Sequence, residues 1–341
     1  MSTGPESSIR PRGSRTAQFN FKISGGKPKL GSYQVALTYV SEGVPDFINV
    51  DAKRVFDRTN IEEGRAMLKD LVAVVDDVEA SKSFLKRAVK FAEAHEAHLA
   101  VKLLTRDLYG LVGLYPFDVY PLALHEMHAD QEAQLDQLKQ TLHGAAVPVE
   151  VRGMADDPGF AHGTLRMEGR YADIVLVGPS NAYDDKKLRR YIIETVLLSL
   201  GGPVLILPEN SSLEQINHVV LGWDASGEAR RAARELLLIA QTKARVDVVL
   251  VDPEPTPEGH GPAPGSDIAR HLARHDFAVE VHREVSGGLS VSDVLEQFAL
   301  ADGADLLAIG GYAHSRVREI FLGGVTRDLI EDARVPVLLA R

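Results

Sequence analysis

The chain contains one pattern of short apolar runs and helical stretches twice, and this repeat constrains its fold more than any other feature. In each copy five apolar runs alternate with helical stretches. The copies also end alike, with PVLILP at residues 203–208 and PVLLAR at residues 336–341. Strands that alternate with helices over short links form parallel sheets. We therefore predict an α/β protein with two tandem, doubly wound, parallel five-stranded domains, residues 67–210 and 211–341.

Residues 1–66 lack this pattern. The first 29 residues carry six Lys or Arg side chains against one Glu, and Ser, Gly and Pro are frequent among them. Such a composition buries too little apolar surface to fold alone, so we expect a disordered or loosely packed N-terminal extension. Two alternatives stay open: the segment is a basic tether for an acidic partner, or translation begins at Met67, directly before the first strong strand.

The composition excludes several classes of function. The net charge of −10 and the isoelectric point near 5.7 disfavour binding to nucleic acid or to anionic membranes. The chain has no cysteine, which excludes disulfides and sites built on thiolates. The sequence shows no apolar run of about 20 residues that could cross a bilayer, and no apolar core of a signal peptide near its start. We expect a cytoplasmic protein with no nucleic-acid and no membrane partner.

The segment 305–326 has the pattern of an anion-binding loop. Its apolar residues 306–309 end at Gly310, as a buried parallel strand does where it leaves a sheet. A polar, basic crossing follows, and a second glycine pair at 323–324 precedes a helical pattern. Backbone N–H groups at a glycine turn and at a helix N-terminus favour an anion, typically a phosphate. The segment therefore predicts a phosphate site between a strand and a helix.

The glycine spacing of this loop resembles the nucleotide-binding signature of the universal stress protein family. That signature places a glycine, two residues, a glycine, nine residues, a third glycine and a Ser or Thr around an ATP triphosphate. Gly310 and Gly323 match it, whereas Ala313 stands at the second glycine and Gly324 at the hydroxyl residue. Ala313 adds a Cβ where the backbone approaches the ligand or needs a positive φ, and Gly324 removes a hydroxyl donor.

The resemblance extends over residues 67–341 and implies an adenine nucleotide alpha hydrolase-like fold of the universal stress protein type. It also implies a cytoplasmic stress-response role and, in the second domain, an ATP site with Mg²⁺. The residues that it implies for adenine and ribose are Asp224 and Val251, and those that it implies for the phosphates are Gly310 and Gly323. Val325 and Thr326 are implied to form the start of the helix that follows the loop.

The resemblance further implies that two such domains pair through their last strands. In this chain those strands contain residues 204–207 and 337–339, so the pairing is expected within one molecule. An exposed edge strand needs a partner in any case, and the same mode allows a homodimer. The protein partner of such a module is not identified by the sequence.

The position of Asp224 agrees with a ligand site. In an open parallel sheet, ligands bind beyond the carboxyl ends of the strands where the winding reverses, and Asp224 ends the run HVVLGWD. The alternative for Asp224 is a helix cap or a solvated carboxylate, and Ser226 offers a second candidate for the cap.

The first domain matches the glycine pattern less well. Gly178 ends its fourth predicted strand, but Asn181 stands where a second glycine is expected, and the next helix is entered through Glu194 and Thr195. A glutamate at the phosphate position repels the ligand by like charge. We therefore predict that the first domain binds no nucleotide.

Other residue groups offer weaker candidates. His125 and His128 beside Asp130, and His271 with His275 at helical spacing, offer two imidazole ligands each, whereas a transition-metal site usually has three or four ligands. We predict no metal site, and no enzyme, because no nucleophile, general base and oxyanion hole assemble. The predicted function is a regulatory, ligand-sensing module. The alternatives are a slow ATPase or nucleotidyl-transfer enzyme on the same scaffold, and a structural interaction protein that binds no nucleotide.

Overall fold

The computed structural model describes residues 68–104, 132–154, 169–211, 213–255, 261–311 and 324–341. All of these residues belong to one compact unit, Arg65–Arg341. The predicted N-terminal extension, Met67 and most of the predicted glycine loop lie outside the described residues. Among the described helices, none is both long enough and apolar enough to cross a membrane.

The strands in the described part of the chain are short, and the central ones are apolar runs buried on both faces, as strands of a parallel sheet covered by helices must be. They are β1 Asp70–Val75, β2 His98–Leu104, β3 Val149–Met154, β4 Ile174–Val177, β5 Val204–Ile206, β6 His218–Gly222, β7 Arg245–Val251, β8 Ala278–Glu284, β9 Leu306–Gly310 and β10 Val337–Ala340.

The helices lie between these strands in the chain, and several begin at a side chain that accepts a hydrogen bond from the first turn. They are α1 Val78–Ala94, α2 Lys186–Glu194, α3 Gly227–Ile239, α4 Ser266–Ala273, α5 Val291–Ala301 and α6 Gly324–Asp332. Residues 132–141 are also helical, and α2 continues into a π-helical turn, Thr195–Leu200.

The ten strands of the described residues form one sheet in the order β3-β2-β1-β4-β5-β10-β9-β6-β7-β8. The order repeats from one half to the other, because β6 to β10 occupy the same relative positions as β1 to β5. The strands within each half pair in parallel. The predicted α/β class with a doubly wound parallel arrangement is confirmed, whereas the domain boundary between residues 210 and 211 stays a prediction.

The two halves meet where β5 and β10 pair antiparallel. Leu205 lies opposite Leu338 in this pair, and both side chains are fully buried. The pairing that the sequence predicted through residues 204–207 and 337–339 is present in the structure. It removes two sheet edges that would otherwise expose unpaired backbone groups.

Candidate functional site

The sheet reverses its winding between β6 and β9. From β6 the chain continues to β7 and β8 on one side, whereas β9 lies on the other side of β6. The carboxyl ends of strands at such a switch point leave a crevice in which open α/β sheets bind ligands. Three of the predicted contact residues lie there: Asp224 just after β6, Val251 at the end of β7 and Gly310 at the end of β9.

Asp224 is an exposed residue of the connection between β6 and α3. Its Oδ1 accepts a hydrogen bond of 3.0 Å from the backbone N–H of Ser226. Ser226 in turn accepts the N–H of Ala229 at its Oγ, also at 3.0 Å, and so caps α3. Ser226 is therefore the helix cap, and Asp224 holds the turn before it while presenting its carboxylate to solvent.

The backbone is strained at both strand ends beside Asp224. Ala225 has a φ of 59° and Asp252, directly after β7, has a φ of 46°. A residue other than glycine in this left-handed region costs on the order of 1–3 kcal/mol, and such strain often marks a functional site. Asp252 accepts a hydrogen bond at its Oδ1 from the N–H of Ser286. The side chain of Ser286, and then this N–H, lower the pKa of the Asp252 carboxyl group by hydrogen bonding to it. Val251 is half-buried against the core.

Gly310 packs against the N-terminus of α3. A Cβ at this position would lie 2.5 Å from the backbone nitrogen of Ala229 and 2.7 Å from the carbonyl carbon of Glu228. Backbone atoms of a helix cannot move aside as the end of a side chain can, so only glycine fits here. Gly310 therefore has a packing role that does not depend on a ligand.

Val325 and Thr326 lie in the first turns of α6, where Val325 is half-buried and Thr326 is buried. Gly323 and Ala313 lie outside the described residues. The structure thus brings Asp224, Val251 and Gly310 to one edge of the sheet, and the phosphate part of the predicted site stays a prediction.

A cavity of about 440 Å³ adjoins the start of α3. Its lining includes Glu228 and three arginines, Arg230, Arg231 and Arg341. Glu228 is also the backbone neighbour of Gly310. Three arginines and one glutamate therefore line a cavity at the start of α3, the helix against whose N-terminus Gly310 packs, and an excess of positive charge attracts an anionic ligand.

In the first half, the chain itself contacts the acidic residue at the end of β1, the strand that corresponds to β6. The connection after β4 has 8 residues, 178–185, whereas the connection after β9 has 13 residues, 311–323. The carboxylate of Asp76, just after β1, accepts the N–H groups of Asp184 and Asp185 at 3.1 and 2.9 Å. Burial raises the pKa of Asp76, and these hydrogen bonds only partly offset the rise. The short connection therefore lies on the acidic residue at the end of β1.

The prediction that the helix after β4 is entered through Glu194 and Thr195 is wrong. Helix α2 begins at Lys186, because Asp185 accepts the N–H of Lys187 at 2.8 Å and caps the helix there. Glu194 is the last residue of α2, and its Oε1 lies 2.8 Å from Nε of Arg190. The argument against a nucleotide in the first half therefore rests on the short connection and not on like charge at Glu194.

Two buried side chains hold this short connection in place. The hydroxyl of Tyr183 donates to the carbonyl oxygen of Val74 at 2.8 Å and accepts the N–H of Gly178 at 3.3 Å. Arg189 donates from Nε to the carbonyl oxygen of Gly178 at 2.8 Å, and from its Nη1 to the carbonyl oxygen of Ile330 in α6. Arg189 thus joins the first half to the second.

Replacing Tyr183 with phenylalanine should lower the free energy of unfolding at pH 8 by about 1–2 kcal/mol, because two buried backbone groups lose their partner. Burial raises the pKa of Tyr183 above its ordinary value, so the folded state keeps the phenol neutral while the unfolded state ionises near pH 10. Above pH 10 the unfolded state therefore binds fewer protons than the folded state. The contribution of Tyr183 to the free energy of unfolding then falls by about 1.4 kcal/mol per pH unit. The difference between the two proteins should therefore shrink between pH 8 and 11.

Urea unfolding at both pH values measures this difference. Tyr171→Phe is the control, because Tyr171 is 81% exposed and its replacement should change stability little at either pH. A difference for Tyr183→Phe that stays constant up to pH 11 would contradict the buried, neutral phenol.

A polar cluster on β6, β7 and β8 has no counterpart among the sequence-based predictions. Asp247 in β7 is fully buried, with its Oδ2 2.6 Å from Nε2 of His218 and its Oδ1 3.1 Å from Nε2 of His282. Arg245 Nη2 lies 3.0 Å from the same Oδ2. Burial raises the pKa of Asp247, but the two histidines and the charge of Arg245 lower it more, so it lies below the usual value. The signal in the sequence is an acidic residue inside the apolar run RVDVVLV.

The histidines singled out from the sequence do not join this cluster. The ring of His271 on α4 contacts the ring of His275, which lies just after that helix, with centroids 5.0 Å apart. Slight burial, then the charges of His275 and Arg274, lower the pKa of His271. Within the described ranges, both groups of three potential metal ligands contain Asp247 and neither contains His271 or His275. The other candidates, His125, His128 and Asp130, lie outside those ranges.

Comparisons with known proteins agree with the architecture. Residues 215–341 match the model of the universal stress protein family. The chain is similar to a universal stress protein from Archaeoglobus fulgidus DSM 4304, with 17% identity and a TM-score of 0.57 over 79% of this chain and 96% of that chain. It is also similar to a functionally unknown protein from Pseudomonas aeruginosa PAO1, with 16% identity and a TM-score of 0.51 over 80% of this chain and 92% of that one. A comparison with curated proteins found no match.

Proposed function

We propose that the chain, whose residues 215–341 match the model of the universal stress protein family, is a universal stress protein that acts as a cytoplasmic regulatory module and senses an adenine nucleotide. The ligand is ATP with Mg²⁺, bound once per chain in the second half. The proposal assigns Asp224 and Val251 to adenine and ribose, Gly310 and Gly323 to the phosphates, and the start of α6 at Val325 and Thr326 to the end of the phosphate loop.

The observation that supports this proposal most is the contrast between the two halves. In the second half Asp224 is exposed beside the switch point, and the connection after β9 has 13 residues. In the first half the connection has 8 residues and donates two backbone N–H groups to Asp76. At the crevice, the acidic residue of the second half, Asp224, is thus exposed, whereas the acidic residue of the first half, Asp76, is covered by the connection after β4.

The proposed mechanism is a population shift. A ligand that contacts both Asp224 and the connection after β9 favours the conformation of that connection in which the contacts are complete. The connection leads into α6, and Ile330 of α6 accepts a hydrogen bond from Arg189 of the first half. A change at the start of α6 would therefore reach the joint between the halves, where an unidentified protein partner could detect it.

One observation favours the alternative of a structural interaction protein without a nucleotide. Gly310 is required by its contact with the backbone of Ala229 and Glu228, whether or not a phosphate binds. The sequence departs from the family signature at Ala313 and Gly324, which removes one glycine and one hydroxyl group. A structural role explains both features without a ligand.

The fluorescence of Trp223 tests the proposal. It is the only tryptophan in the chain, it precedes Asp224, and its side chain is half-buried. Titration of the full chain with ATP and Mg²⁺ should change its emission and saturate. Asp224→Ala should weaken binding by about 10- to 100-fold, because a hydrogen bond to a charged group is lost.

The matched control is Asp267→Ala, which removes an 87% exposed carboxylate on α4 and should leave the affinity unchanged. An affinity that Asp224→Ala does not alter would contradict the proposed site. Turnover of radiolabelled ATP by the same preparations separates the sensor from the enzyme: binding without turnover is expected, and turnover that Asp224→Ala abolishes would favour the slow ATPase.

A further inference from the structure

The polar cluster of the second half lies away from the nucleotide crevice. His218 is the first residue of β6 and lies four residue steps, or roughly 13 Å, from Gly222 at the carboxyl end of that strand. Asp247 lies on the neighbouring strand β7, and Asp302 follows α5. Any ligand of this cluster therefore binds independently of one at Asp224.

Three ligand atoms of the cluster converge on one point. Nε2 of His218 lies 2.6 Å from Oδ2 of Asp247 and 3.3 Å from Oδ2 of Asp302, and all three atoms lie within 4.8 Å of one another. Ligand atoms that surround a tetrahedral ion at 2.0–2.1 Å are about 3.3 Å apart. The 3.3 Å between His218 and Asp302 matches that spacing, whereas the 2.6 Å hydrogen bond between His218 and Asp247 would have to lengthen by about 0.7 Å when an ion binds.

A cation already occupies this point, namely the guanidinium of Arg245. Its Nη2 lies 3.0 Å from Oδ2 of Asp247 and 2.7 Å from Oδ2 of Asp302. Glu280 adds a third carboxylate 4.0 Å from the same nitrogen. Three carboxylates therefore surround one positive charge, and a divalent ion would balance them better than Arg245 does.

The burial of these groups favours exchange of Arg245 for an ion. Asp247 is fully buried, so water cannot solvate its carboxylate. The side chain of Arg245 is 43% exposed and can therefore move away from the cluster into solvent. Asp302 is 37% exposed and leaves a route of entry. His282 holds the second oxygen of Asp247 at 3.1 Å, which orients the carboxylate as the outer partner of a metal ligand does.

We propose that His218, Asp247 and Asp302 form a binding site for a divalent transition-metal ion of the zinc class, for which Arg245 competes. An imidazole nitrogen selects such ions over Mg²⁺ and Ca²⁺, which prefer oxygen ligands alone. His282 is a positioning residue that acts through Asp247. In the metal-free chain Arg245 takes the place of the ion and keeps the buried carboxylate paired.

The test is calorimetric titration of the untagged full chain with Zn²⁺ near neutral pH, after removal of metals with a chelator. The expected result is one Zn²⁺ per chain, and absorption bands of a coordinated ion when Co²⁺ is used instead. His218→Ala should weaken binding by at least about 10-fold. Arg245→Gln should strengthen binding, a result that a merely structural network would not give.

His271→Ala is the control, because His271 lies on α4 outside the cluster, and it should leave binding unchanged. Asp302→Asn provides a second ligand variant at a partly exposed position if His218→Ala fails to fold. The proposal is overturned if the natural chain binds no Zn²⁺, if binding survives both ligand variants, or if only His271→Ala abolishes it.

Discussion

Replacing Gly310 with alanine should lower the free energy of unfolding of the second half by about 2–3 kcal/mol. The added Cβ would lie 2.5 Å from the backbone nitrogen of Ala229, at the start of a helix that Ser226 caps. Relief requires movement of β9 or of α3, and β9 is held on both sides by β6 and β10. Stability is lost because the added Cβ is forced into a rigid contact between the backbone of β9 and the backbone of α3.

Gly311→Ala is the matched control one residue away. A Cβ at Gly311 would meet Leu197 at 3.6 Å and the carbonyl oxygen of Ala340 at 3.7 Å, which are ordinary contacts. Its stability should stay within about 0.5 kcal/mol of that of the natural chain. Denaturant unfolding followed by Trp223 fluorescence reports on the second half. Equal stability of the two variants would refute the packing role of Gly310 and leave a close approach to a ligand as the reason for the glycine.

Replacing Leu338 with aspartate should destabilise the chain by more than about 4 kcal/mol or prevent its folding. Leu338 is fully buried in β10, opposite the fully buried Leu205 of β5. An ionised carboxylate there would have no counter-charge and no water. Because β5 and β10 join the halves, loss of this pair exposes the edges of both halves at once.

Leu300→Asp on α5 is the control for that substitution, since Leu300 is 47% exposed and the new carboxylate stays in water. Thermal unfolding followed by circular dichroism observes both halves, and the expected result is a large fall of the midpoint for Leu338→Asp alone. Similar midpoints for the two variants would mean that the β5–β10 pair contributes little to the stability of the chain.

The fold could be predicted from the sequence largely because its strands are buried apolar runs. A run such as residues 306–309 must lie inside a parallel sheet, and alternation with helices then fixes the winding. The β5–β10 pair was predictable because the resemblance implies pairing through the last strand of each domain, and because an exposed edge strand needs a partner. The start of α2 was misplaced because Asp185 caps the helix within a basic segment, where charge conceals the helical pattern.

The sites were less predictable, because they depend on contacts between distant parts of the chain. A glycine at position 310 is expected both where a phosphate approaches the backbone and where a helix packs against it, and the sequence does not distinguish the two. In the structure the backbone of Glu228 and Ala229 packs against Gly310. His218 and Asp247 lie 29 positions apart and meet only through the register of β6 and β7. That register follows from packing of the whole sheet and not from any local motif.

Native mass spectrometry of the full chain with ATP and Mg²⁺ tests most directly the central claim, a single nucleotide site in the second half. We expect one ATP per chain, and none for Gly323→Asp, which places a negative charge at the predicted phosphate position. Two bound ATP molecules per chain, or none at millimolar ATP, would contradict the claim.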